Sequence, residues 1–348
     1  MRVYLDHNAT TPLRPEAREA MLATMDVAGN PSSVHAEGRA AKGAVERARA
    51  QVAALVGCTV QQVIFTGSAT EAAALAVAQK DRHGGVFAAL PTEHDCLKVW
   101  SEVAPEAAGF LAVSAANSET GVLGDGGLVP GNRDGVAVVA DITQLAGKMP
   151  VIYGETKPAY AILSAHKLGG PKGVGALINF TRDDPAPILR GGGQEMNRRS
   201  GTENVIGIAG FGAAAEAAAR DVASGRWEAV AELRNILENA LEASEKKTIF
   251  VGKDVPRLPN TSCIVAEGWK GETQVMQMDL AGFAVSAGSA CSSGKVRAST
   301  VLLAMGHSER QAASAIRVSL GLETTKEDVL RFADTWLARR ARHEQRAA

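Results

Sequence analysis

Cysteine is scarce in this 348-residue chain: four residues, Cys58, Cys96, Cys263 and Cys291, lie far apart and form no Cys-x-x-Cys pair. That spacing offers neither a zinc site nor a disulfide framework, so no metal is expected. It suits a reducing, cytoplasmic compartment in which a thiol remains a thiol. An excess of charge is lacking too, because 37 basic residues against 38 acidic ones leave a net charge of −1. Neither nucleic acid nor an anionic membrane is an electrostatically favoured partner. No apolar run approaches the roughly 20 residues of a membrane span. The opening MRVYLDHNATTP has no apolar segment of the signal-peptide kind and reads as mature protein. Internal repeats are also missing.

What is present is the balance of a globular protein, 46% hydrophobic and 22% charged residues. The length exceeds that of most single domains, which points to two. Between Glu37 and Leu55, Ala40, Ala44, Val45, Ala48, Val52 and Leu55 recur at helical spacing. QQVIFTG then reads as a short buried strand ending at Gly67, and ATEAAALAVAQK as a helix starting just after it. Such a strand–turn–helix joint presents free backbone N–H groups to an anion, usually a phosphate. GVAVVAD (135–141), YAILSAHK (160–167) and GVGALINF (173–180) read as further strands. Strands alternating with helices predict an α/β sheet whose strand C-termini line one ligand-binding edge. A long alanine-rich helical stretch from Ile206 to Ala243 reads as a connector into a smaller C-terminal domain. There TSCIVAE and FAVSAG read as strands, and the regions 308–320 and 326–342 include helices.

Two strand ends carry chemistry. Asp141 stands at the end of one strand, in DITQ, and Lys167 at the end of another, in SAHK. With a phosphate-type helix start upstream, these are the parts a pyridoxal phosphate site needs: a lysine for the covalent link, an acid for the ring nitrogen and an anion cradle. Singly, each has a plainer reading as a turn residue or a solvated surface group. The motifs YLDHNATTP, GNPSSVHAEG, VIFTGSATE, TEHD, NSETG, DITQ, SAHKLGGPKGVGAL, RGGGQE, RRSGTENV, LPNTSCI, SAGSACSSG and AIRVSLG follow in order over nearly the whole chain. In these the sequence resembles the cysteine desulfurases of the nitrogen-fixation and iron–sulfur-assembly type, in the long cysteine-loop group. They are class V aminotransferase-like, fold-type I pyridoxal phosphate enzymes.

The resemblance implies a large domain over 13–210, with a mixed, mostly parallel seven-stranded sheet. It also implies a smaller α+β domain made of 1–12 and 211–348, which carries the Cys291 loop. Lys167 resembles the Schiff-base lysine, Asp141 the partner of the ring nitrogen, and Gln144 a donor to the phenolic oxygen. His94 would stack on the ring and relay a proton. Ala69, Thr70, Ser164 and His166 would hold the phosphate. Thr202 would reach the phosphate of a neighbouring subunit, which implies a homodimer. Ser118 stands at a cofactor-contacting position, and Asn8 and Arg317 would bind substrate. A guanidinium fork matches a carboxylate better than an ammonium does. Cys291 would take sulfur from L-cysteine as a persulfide, leaving L-alanine, and pass it to an iron–sulfur scaffold or a sulfur-carrier protein. Its small neighbours, with Gly288 and Gly294, suit a mobile tether. Cys58 and Cys263 read as small buried hydrophobes, while Cys96 stays undecided.

The chain departs from the family in three places. Ser118 replaces an asparagine, and the phosphate turn reads TGSATEAAA with fewer polar side chains. His94 and Asn117 are only 23 positions apart, so a strand–helix piece near 95–115 is expected to be trimmed. Asp141 to Lys167 and Cys291 to Arg317 keep family spacing at 26 positions each. Two other readings stay open on these departures: a divergent lyase or aminotransferase acting on another amino acid, or a cofactor-binding partner subunit with weak turnover.

Overall fold

A computed structural model of the chain describes residues 2–133, 135–245, 247–288 and 298–347. The chain divides into two compact units, one of Met1–Ala9, Asn117–Leu123 and Gly225–Ala348, the other of Thr10–Ala116 and Gly124–Ser224. Strand β1 (Val3–Tyr4) belongs to the first of these.

The second unit begins with α1 (Pro15–Met25), where proline sits in the first turn, the place its missing N–H costs nothing. Helix α2 (Ala36–Val56) buries Ala41, Ala44, Val45, Ala48, Val52 and Val56 along one face. It stops at Gly57, whose φ of 65° is the left-handed cap that glycine adopts without penalty. The remaining elements are β2 (Val63–Thr66), α3 (Ala69–Val77), β3 (Phe87–Ala89), α4 (Asp95–Lys98), β4 (Phe110–Ser114), β5 (Ala137–Asp141), β6 (Tyr160–Ser164), β7 (Gly175–Asn179) and α5 (Val205–Ala223). The strands form one sheet in the order β2-β7-β6-β5-β4-β3. β3, β4, β5 and β6 pair in parallel, while β7 runs antiparallel to both β2 and β6. The C-terminal ends of β2 to β6 therefore share one edge.

The α/β class and the mainly parallel sheet agree with expectation, but the sheet has six strands among the described residues where the resemblance implied seven. The reason is length: between Ala89 and Phe110 the chain makes only α4 and one 3₁₀ turn, too little for another strand and its crossover. Ile64, Leu75, Phe87, Phe110, Val139, Ile162 and Leu177 form the core between this sheet and α3. The parallel strands bury both faces, so they read as apolar runs rather than alternating ones.

The helical stretch expected from Ile206 to Ala243 is two helices. Ser224 ends α5, and Gly225, at φ 72°, precedes α6 (Arg226–Ser244). The first unit continues with β8 (Ile249–Phe250), β9 (Thr261–Val265), α7 (Gly271–Leu280), β10 (Phe283–Ala284), β11 (Ser286–Ala287), α8 (Thr300–Ala304), α9 (Glu309–Ala312), β12 (Ala315–Ser319) and α10 (Lys326–Ala347). An antiparallel sheet runs β11-β12-β9-β8, and β1 pairs in parallel with β10. Its core gathers Leu237, Trp269, Ile316, Phe332 and Trp336. The Trp336 indole N–H is satisfied by Gln274 Oε1 at 3.0 Å, as a buried indole requires. No helix among the described residues is long and apolar enough to cross a membrane.

Candidate active site

At the shared strand edge of the second unit, four strands deliver side chains that can do chemistry. Asp141 is the last residue of β5, and its Oδ1 accepts the Thr143 N–H at 2.8 Å. One turn on, Gln144 is buried, and its side-chain oxygen accepts from the Lys148 ammonium at 2.8 Å. Ser164 closes β6, and the chain then tightens into a 3₁₀ turn, Ala165–Lys167, that carries His166 and Lys167. This turn is held from outside the sheet. The Thr11 N–H donates to His166 O at 2.8 Å, and its hydroxyl donates to Lys167 O at 3.0 Å. Thr10 Oγ1 lies 3.2 Å from His166 Nδ1. Burial first, then the positive charges of Lys167, Lys172 and Lys148, pull the His166 imidazole down to about 4, so it is neutral at physiological pH.

His94 follows β3 and caps α4. Its Nδ1 accepts the Cys96 N–H at 3.1 Å, which leaves the proton of the neutral ring on Nε2. The ring is exposed, whereas the preceding Glu93 is buried. The Glu93 carboxylate accepts the Ser114 N–H at 2.9 Å and is also bonded to the Ser114 hydroxyl. Ser114 in turn pairs in register with Asp141. Burial chiefly, with the negative charge of Asp141 behind it, raises Glu93 to about 7 against the pull of the Ser114 bonds and Lys98. Cys96 thus stands beside His94, and burial pushes its thiol up.

The loop between β2 and α3 completes this edge. Ser68 caps α3 by accepting the Glu71 N–H at 3.2 Å, and the Glu71 carboxylate accepts the Gly67 N–H at 2.7 Å. Ala69 and Thr70 form the first turn of α3, with Thr70 exposed. A side chain on Gly175 would come within 2.5 Å of the Ser68 carbonyl carbon and 2.8 Å of the Ala69 nitrogen, so glycine is what lets β7 pass beneath the start of α3. Glu71 also pairs with Arg199 at 2.8 Å, tying down the segment that leads to the exposed Thr202. Upstream of it, Glu195, Met196 and Asn197 all have positive φ, of 48°, 58° and 67°. That conformation costs energy in non-glycine residues. Here it is enforced by the buried Glu195 carboxylate, which takes both Arg49 terminal nitrogens, at 2.7 and 2.8 Å, and the Phe65 N–H at 3.0 Å.

The remaining candidates lie in the first unit. Arg317 occupies the middle of β12, opposite Cys263 of β9 and Ser286 of β11. Its guanidinium donates to Asp6 Oδ1 at 2.9 Å and to the backbone oxygen of Ser118 at 3.0 Å. The Asn8 side-chain N–H₂ donates to the same Ser118 oxygen at 3.3 Å and to Thr261 Oγ1 at 2.9 Å. Ser118 therefore meets Asn8 and Arg317 through its backbone carbonyl, which any residue supplies. Cys263 is buried and Cys58 half-buried, and burial raises both thiols to about 12. Cys291, the sulfur-bearing candidate, lies outside the described residues.

Motif reading passed over Glu93, Lys148, Thr10, Thr11 and Asp6. Each lies beside or within a quoted motif, but only burial and hydrogen bonding give it a part.

The fold is that of the class of enzymes built on a mainly parallel sheet with a lysine turn at its edge. By comparison of sequences the chain belongs to the aminotransferase class-V family, whose profile matches residues 3–109 and 105–332, within the group of the cysteine desulfurases. It is 36% identical to a cysteine desulfurase of Cereibacter sphaeroides, over 96% of this chain and 94% of that one. It is 38% identical to a cysteine desulfurase of Frankia sp., covering 95% and 90%. The solved NifS-like protein of Rickettsia africae superposes with a TM-score of 0.84 at 30% identity, covering 97% of this chain and 98% of the other.

Proposed function

We propose that this chain is a pyridoxal phosphate-dependent cysteine desulfurase. It converts L-cysteine to L-alanine and moves the sulfur to Cys291 as a persulfide, for delivery to an iron–sulfur scaffold or another sulfur acceptor. The observation that carries the reading is the placement of Lys167, Asp141 and His94 at one strand edge, in a chain similar to cysteine desulfurases throughout its length. The donor set suits the cofactor: an acid for a ring nitrogen, a lysine for an aldehyde, amide N–H₂ for a ring oxygen, and a helix start cleared by Gly175 for a phosphate.

Bound there, pyridoxal phosphate supplies the sink that draws electron density from the substrate's Cα. Asp141, held by the Thr143 N–H, keeps a proton on the ring nitrogen. Lys167 takes the Cα proton. His94 would stack on the ring and relay a proton through Nε2, the nitrogen left open by the Cys96 N–H bond to Nδ1. The N–H groups at the start of α3, with Ser164 and His166, hold the phosphate, and Ala69 and Thr70 occupy its first turn. Arg317, already oriented by Asp6 and the Ser118 carbonyl, binds the substrate carboxylate, with Asn8 bracing the same carbonyl. The Cys291 thiolate attacks the substrate sulfur: an S–S bond forms, the Cβ–S bond breaks, and its electron pair stays on carbon, where protonation gives the methyl group of alanine. The exposed Thr202 suits a contribution to a neighbouring copy, so the working form is a homodimer. The enzyme works in the cytoplasm.

The test is direct. Purified protein should be yellow and form alanine from L-cysteine, with sulfide released under a reductant. Cys291→Ser keeps the cofactor absorbance and loses sulfur release. Turnover of another amino acid in place of cysteine points to the lyase or aminotransferase reading, and full desulfuration by Cys291→Ser refutes the role of that thiol.

A further inference from the structure

The buried ammonium of Lys148 settles which way the Gln144 amide faces. Lys148 is 2% exposed, although a lysine stem is long enough to carry its charge to solvent. Its Nζ instead donates to Gln144 Oε1 at 2.8 Å and to the Gln144 backbone oxygen at 3.1 Å. The local chain makes this contact possible. The Ala146 N–H bonds Ile142 O at 2.9 Å and the Met149 N–H bonds Leu145 O at 3.1 Å, so two successive turns bring residues 144 and 148 together. Gly147, at φ 79°, completes the turn where a side chain would press within 3.0 Å of Leu168 and Ala218.

An ammonium has three donors and no acceptor, whereas a primary amide has an acceptor end and a donor end. Only the oxygen of Gln144 can face Lys148, and the planar amide then turns its N–H₂ away from the ammonium. Without that charge the two ends of the amide would be nearly interchangeable. Burying an ammonium is costly unless its bonds are good, so Lys148 is not there by default. Its charge also reaches the neighbouring turn, as one of the three lysines that hold His166 neutral after burial.

We propose that Lys148 is a positioning residue of the active site, one that fixes the sense of the Gln144 amide so that its N–H₂ end, rather than its oxygen, is the end an anionic oxygen on the cofactor ring meets. This rests on the pyridoxal phosphate reading above. Lys148 touches neither cofactor nor substrate in this role; it acts through Gln144.

The experiment is a double-mutant cycle on the full chain, stripped of cofactor and reloaded with pyridoxal phosphate. Wild type, Lys148→Met, Gln144→Ala and the double variant are compared for cofactor dissociation constant and for the pH titration of the bound cofactor's absorption band. Lys148→Met weakens cofactor binding about tenfold, the scale of one hydrogen bond to a charged group, and displaces the titration. The double variant is no worse than Gln144→Ala alone. Lys148→Gln, which keeps an N–H donor without the charge, recovers part of the loss, and it carries the comparison if Lys148→Met does not fold. Wild-type affinity and titration in both Lys148 variants overturn the proposal, as does a Lys148→Met effect undiminished in the Gln144→Ala background. A wild-type chain that takes up no pyridoxal phosphate overturns the functional reading itself, a result distinguishable from either of these.

Discussion

Replacing Glu93 by glutamine should remove a pH-dependent cost that the native fold carries. The Glu93 carboxyl is buried, and its value stands at about 7 against an ordinary 4.5. Because that value is raised, the native state binds the proton more tightly than the unfolded chain does. The stabilisation is fully present below about pH 4.5 and is lost as pH rises through about 7. The distance between the two values is worth about 3 kcal/mol, and burial this deep leaves little solvent screening to discount. Glutamine has the same shape and no charge. Its oxygen keeps the Ser114 N–H bond, and the Ser114 hydroxyl can turn to accept from the new N–H₂. Urea unfolding of cofactor-stripped protein, from pH 5 to 9 at constant ionic strength, measures the outcome. At pH 5 the two proteins should agree within about 1 kcal/mol. Above pH 7 the Glu93→Gln variant should become the more stable by up to about 3 kcal/mol. Stability curves that run parallel across this range would refute the reasoning, because they would mean that Glu93 titrates alike in the folded and unfolded chain.

Two further outcomes are expected. Arg317→Lys should lower kcat/KM for L-cysteine roughly ten- to a hundredfold, mostly through KM, because a compact ammonium lacks the planar fork whose separate nitrogens reach the Ser118 carbonyl and Asp6 and which matches a carboxylate in two bonds. Steady-state kinetics at saturating cofactor checks this, and an unchanged KM contradicts it. Glu195→Ala should destabilise the protein by about 3 kcal/mol, since it takes the buried carboxylate from both Arg49 terminal nitrogens, leaves that guanidinium only the half-exposed Glu46 and the Val63 carbonyl, and strips the Phe65 N–H of its acceptor. Denaturant unfolding reads the loss directly.

Local pattern carried a good deal of the fold. Helical spacing from Glu37 to Leu55 anticipated α2 within a residue at either end, because an amphipathic period needs no knowledge of the partner surface. The apolar runs before Asp141 and Lys167 marked β5 and β6, although the second strand stops at Ser164 and gives way to a 3₁₀ turn. The split between α5 and α6 was visible only as a glycine in an otherwise helical composition, and Gly225 there takes a positive φ. Strand number was harder, since a missing edge strand leaves only a shortened interval in the sequence.

The sequence by itself determined the family, the α/β class and the strand ends at which Asp141 and Lys167 stand, because these follow from ordered motifs and short-range periodicity. Only the tertiary structure decided that Glu93 is a carboxyl whose pKa burial raises and that Lys148 is buried against the Gln144 amide oxygen. It also decided that position 118 serves Asn8 and Arg317 through its carbonyl. A glutamate, a lysine and a serine read as surface residues in a linear chain. What changes them is the removal of water by residues distant in sequence, which raises the cost of charge and leaves each polar group only the partners the fold supplies.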